Sequence, residues 1–98
     1  MAVDDDAGNR ELDDVRARLD SLDRQLVHIL ARRFEVGHEA AQLKRSLGIP
    51  LHDPEREERV VSQACEWARS EGLPEAEVAD LFRKLIAISR TAQLTSNQ

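Results

Sequence analysis

Aromatic residues are nearly missing from this chain, which holds two phenylalanines, one tryptophan and no tyrosine among 98 residues. The packing therefore falls to Leu, Ala and Val, and the length allows one small domain. A single cysteine, Cys65, cannot form an internal disulfide; it is expected to pack as a small hydrophobe on a helix. Trp67 is expected to pack on the same helix. No apolar run at the N-terminus is long enough for a signal peptide or a membrane span, so the cytoplasm is the expected compartment. A basic excess is lacking too. At a net charge of −5, with arginines interleaved among acids, the chain has no concentrated basic face for nucleic acid. His28, His38 and His52 lack the spacing of a metal site, and neither a metal nor a cofactor is implied. There is no strand signal, sequence repeat or low-complexity tract.

What the chain does have is a heptad. Leu12, Val15, Leu19, Leu22, Leu26, Ile29, Arg33, Val36, Ala40, Leu43 and Leu47 follow one another at three- and four-residue steps, which marks one face of a long helix. Arg33 is the charged intruder. A guanidinium in an apolar seam loses hydration that only a paired anion restores, so it points to a buried anionic ligand or to an acid of a partner chain.

Residues 1–9 are acidic and without periodicity, and read as a frayed tail, with a second short tail at 96–98 and a single helical domain over 10–95. The first helix should run from about Arg10 to Leu47, where Gly48, Ile49 and Pro50 end it. Asp53 as cap, Pro54 at the first helical position and Glu55 in the first turn start a second helix, which should end near Glu71. Gly72, Leu73 and Pro74 break the chain. Val78, Leu81, Phe82, Leu85 and Ile86 then mark a third helix reaching roughly to Leu94. The fold class is all-α, with one very long helix and two shorter ones.

A first helix of about 36 residues would be a rod of roughly 54 Å, longer than two half-length helices can cover. Leaving several leucines bare, at about 1.5 to 3 kcal/mol each, would exceed a small domain's stability margin. The expected assembly is an intertwined homodimer in which two long helices pair antiparallel and each site draws on both chains. Arg33 and Lys44 lie about three turns apart and look in nearly the same direction across roughly 16 Å, room for a small dianion. Arg16 is too far along the rod to join Lys44 of its own chain. With an antiparallel crossing near Leu30, it arrives beside Lys44 of the other chain.

Taken singly, Arg16 and Lys44 read as solvated charges, Asp53 as a cap and Arg56 as an exposed ion-pair member near Glu55 or Glu58. Ser89 and Gln93, four residues apart, place two neutral hydrogen-bonding groups on an apolar helix face.

Together these positions resemble the all-helical (type II) chorismate mutase family over residues 11–93. Val15-Arg16, Leu22-Asp23, Arg32-Arg33 and Leu43-Lys44 match the family's first helix. The segment Pro50-Leu51-His52-Asp53-Pro54-Glu55-Arg56-Glu57 matches its loop and the start of its second helix. Leu81-Phe82 through Ser89 and Gln93 match the end of its third. His52 stands where a longer base is common, and Ala40 where a larger aliphatic is usual.

The resemblance implies rearrangement of chorismate to prephenate, chemistry of orientation and electrostatics with no covalent intermediate. By that resemblance Arg33 and the partner subunit's Arg16 anchor the two substrate carboxylates, with Arg56 and Ser89 in support. Lys44 and Gln93 donate to the ether oxygen, and Glu57, with the Asp53 region, receives the ring hydroxyl. A smaller Ala40 leaves room for 4-amino-4-deoxychorismate, whose amino group also suits Glu57. An isochorismate pyruvate lyase on the same scaffold is a third reading, and a non-catalytic dimeric helical module is the reading from another class. A complex with another shikimate-pathway enzyme is compatible with the resemblance, though no segment marks its surface.

Overall fold

Glycine followed by an aliphatic residue and proline ends two helices of this chain in the same way. In the computed structural model α1 spans Ala2–Leu47, α2 Pro54–Ser70 and α3 Glu75–Ser96. The backbone is described for residues 2–96 and the side chains for 6–92. Gly48 and Gly72 both stand at φ +71, where an L side chain would be strained. After α1, Gly48 N donates to Arg45 O at 3.2 Å and Ile49 N to Lys44 O at 2.8 Å. After α2 the pattern repeats, with Gly72 N to Arg69 O at 3.2 Å and Leu73 N to Ala68 O at 2.8 Å. These paired bonds satisfy carbonyls the helix itself leaves open, and proline then prevents continuation.

The second helix starts on its cap as expected: Asp53 Oδ1 accepts from Arg56 N at 3.1 Å, and Pro54 occupies the first turn. All the regular structure among the described residues is helical.

One boundary differs from the sequence reading. Helix α1 begins at Ala2, not near Arg10. Once the heptad has nucleated a long helix, each further residue gains a hydrogen bond for its ordering, and acidic composition suits the positive end of the helix dipole. Periodicity reports packing and is blind to a helical extension whose sequence lacks it. The helix therefore runs through most of the stretch read as a tail.

The chain divides into two compact units, Met1–Glu35 and Val36–Gln98. In the first, Leu12, Val15, Leu19, Leu22, Leu26 and Ile29 are all exposed, Leu22 at 58%. Leu30, Arg33 and Phe34 are half-buried there.

In the second unit α2 packs against α3. Its buried residues are Ala41, Val61, Ala64, Ala68 and Ala79. On α2 the buried stripe is narrow and lined mostly by alanines, which lets the facing helix approach closely. Trp67 lies beside this stripe and is 59% exposed, so the packing role expected for it is not realised within the chain. An indole has no room between helices spaced by alanines. Cys65 is half-buried, and its thiol makes a long contact of 3.8 Å to Glu75 O. Across the α2–α3 turn, Arg69 grips Glu75 with two bonds, Nη2 to Oε1 at 2.9 Å and Nε to Oε2 at 3.3 Å. Hydrogen bonding and the charge of Glu75 hold the Arg69 guanidinium above its ordinary pKa.

Candidate active site

Within Val36–Gln98 the last turns of α1 present two faces. Val36, Ala40, Leu43 and Leu47, the heptad positions, are exposed. Gly37, Ala41, Lys44 and Arg45 are shielded, with Ala41 at 2%. Lys44 thus belongs to the face closed within the chain. Gly48 turns the backbone so that the following loop returns, and Lys44 Nζ meets Leu51 O at 3.4 Å. One weak bond to a carbonyl leaves the ammonium other donors for an oxygen ligand. Ala40, expected to enlarge a pocket, stands on the exposed face.

At the start of α2, the Asp53 side chain is occupied as a helix cap, which settles its local role. Arg56 is exposed one turn later. Glu57 is half-buried and doubly attended. Arg90 Nη2 donates to its Oε1, while His52 Nε2 stands 3.8 Å from Oε2, too long for a hydrogen bond. Glu57 and Arg90 also line a cavity of about 210 Å³ with Glu58, Val61, Arg83, Ile86 and Ala87.

On α3, Ser89 Oγ is buried and has no hydrogen-bond partner among the described residues. An unmet hydroxyl costs about 1 to 3 kcal/mol, so its position favours a polar ligand. Gln93 lies on the same helix, but its side chain is outside the described residues.

Of the eight expected site residues, Lys44, Asp53, Arg56, Glu57, Ser89 and the backbone of Gln93 share the second unit. Arg16, exposed, and Arg33, half-buried, belong to the first.

Arg90 was missed from sequence, although a signal was there. Helices joined by a tight turn pair antiparallel, and Glu57 and Arg90 lie equally far from the turn at Leu73 and Pro74. Reflecting α2 onto α3 about that turn brings these two charges level. Among the described residues no group of His, Cys, Asp and Glu could hold a metal ion, and no helix is long and apolar enough to cross a membrane.

Comparison with known proteins decides the family. The sequence profile described as "Chorismate mutase type II" matches residues 15–94, a span that contains all eight expected site positions. The chain belongs to that family. The chain is 26% identical over 83 residues to the chorismate mutase of Methanocaldococcus jannaschii, covering 85% of this chain and 84% of that protein. It is 34% identical over 76 residues to the 4-amino-4-deoxychorismate mutase of Streptomyces venezuelae, covering 78% and 74%. The T-protein of Enterobacter agglomerans is 31% identical over 83 residues, 85% of this chain; the chain spans 22% of that T-protein's length. No solved structure matches the chain significantly.

Proposed function

We propose that this protein converts chorismate to prephenate in the cytoplasm, as an intertwined homodimer whose two sites each draw on both chains. The observation that carries the reading is the buried Ser89 Oγ, without a hydrogen-bond partner among the described residues, in the same unit as half-buried Lys44 and Glu57 and within the span that the family profile matches. Exposed leucines along α1 support the dimer, since a second copy of the same seam would cover them.

In this site Arg33 and the partner subunit's Arg16 hold the two carboxylates of the substrate, each by a planar guanidinium fork. Arg56 and Ser89 support that end, and Asp53 fixes the helix start that carries Arg56 and Glu57. Holding the flexible ether in a compact chair-like conformer removes much of the entropic barrier. As the enolpyruvyl C–O bond breaks and the new C–C bond forms, negative charge collects on the ether oxygen. Lys44 and Gln93 donate to that oxygen, so their interaction strengthens in the transition state. No proton need leave or enter, and no cofactor is required.

The identity to a 4-amino-4-deoxychorismate mutase gives a second reading, the amino analogue as substrate. The test is to mix purified protein with chorismate, follow the fall in ultraviolet absorbance and assay phenylpyruvate after acid treatment. Parallel runs use 4-amino-4-deoxychorismate and isochorismate. Turnover of chorismate above both is expected. No turnover of any of the three would leave a non-catalytic dimeric module.

A further inference from the structure

Arg90 is the charged group in direct contact with Glu57, yet none of the roles above uses it. Its side chain is 43% exposed and that of Glu57 29%, so the pair sits at the mouth of the α2–α3 groove. Other charged groups around the same cavity are Glu58 and Arg83, and Arg83 is itself held by Asp80 at 3.2 Å. Arg90 therefore has Glu57 as its working counterion, and among the described residues no hydrogen-bond donor occupies Glu57 Oε2.

We propose that Arg90 is a positioning and specificity residue, which fixes the Glu57 carboxylate and biases the site toward a ring carrying a neutral hydroxyl over one carrying an ammonium group. This rests on the reading that Glu57 receives the ring substituent. A lone carboxylate attracts an ammonium through its full charge and a hydroxyl only through a hydrogen bond, so unpaired Glu57 would favour the amine. A guanidinium on Oε1 changes that balance. It cancels most of the field an incoming cation would feel, while leaving Oε2 able to accept from a hydroxyl. Arginine cannot lose its proton to relieve the repulsion. Discrimination then comes from a repulsive element built beside an attractive one.

The experiment compares kcat/KM for chorismate and 4-amino-4-deoxychorismate in the wild type, Arg90→Gln and Arg90→Lys, with melting curves showing that each variant is folded. Wild type is expected to prefer chorismate, and Arg90→Gln to raise the amino-to-hydroxy ratio about tenfold or more. Arg90→Lys restores the charge and should return the ratio toward wild type. Equal losses on both substrates in Arg90→Gln would mark a helix clamp only and overturn the proposal, as would a wild-type preference for the amine. Turnover of neither substrate by wild type is a separate result. It removes the proposed function, and the role of Arg90 falls with it.

Discussion

The N-terminal unit and the α2–α3 pair use apolar residues in opposite ways. From Leu12 to Ile29 the first exposes six large aliphatics along one helix face. The second buries Val61, Ala64, Ala68 and Ala79 between two helices. Each alanine removes little more than a methyl group from water, worth somewhat under 1 kcal/mol by the usual ~0.8 kcal/mol per buried CH₂. The larger reserve of hydrophobic free energy lies in the leucines, which a single chain leaves unused. Stability and site assembly should accordingly arrive together, when two seams meet.

Breaking the seam should have the largest effect. Leu22→Glu combined with Leu26→Glu puts four like charges into the paired helices of a dimer; dissociation and complete loss of mutase activity are expected, read by light scattering and by the chorismate assay. In the unmutated protein the melting temperature should rise with protein concentration, as it does when folding and association are linked. A concentration-independent melt with a monomer mass would refute the paired seam.

Lys44→Ala tests the other face of α1. Its loss should lower kcat by at least ~100-fold, about 2.7 kcal/mol, the cost of deleting one donor to a developing oxyanion. Light scattering should still report a dimer, because Lys44 lies off the exposed seam.

A subtler change is Gln93→Glu. A carboxylate accepts but cannot donate to the ether oxygen, so activity should be present only when the new side chain is protonated. With an ordinary carboxyl pKa near 4.3, the rate should climb as pH falls toward that value and fade above it. A flat pH–rate profile would remove Gln93 from its assigned role.

Smallest of all, Asp53→Ala deletes the cap of α2 and should cost about 1 kcal/mol of stability, measured by denaturant unfolding of the dimer. A loss of activity much beyond that explained by unfolding would give Asp53 a part in binding as well.

Much of this was legible before any coordinates. Gly48 with Pro50 and Gly72 with Pro74 marked two helix ends, and Asp53-Pro54 a beginning, because those residues act locally on the backbone. Positions that depend on which surface faces which were less readable. Trp67 shows this, since its burial turns on the spacing set by alanines across the groove. The Glu57–Arg90 pair was hidden for a related reason: it joins residues 33 apart, and only the register of α2 on α3 makes them neighbours. The extension of α1 back to Ala2 carries no packing signal at all.

Gly48 reaches further than its size suggests. A side chain there would meet no neighbouring atom within 4 Å, so the backbone angle alone is what glycine supplies. That angle decides where the Leu51 carbonyl lands, and hence how far the Lys44 ammonium is drawn back toward its own loop. Anyone wishing to retune this lysine for a longer or bulkier ether should begin with residues 48–52. Small changes in that loop alter the lysine's reach while every group meant to touch the ligand keeps its identity.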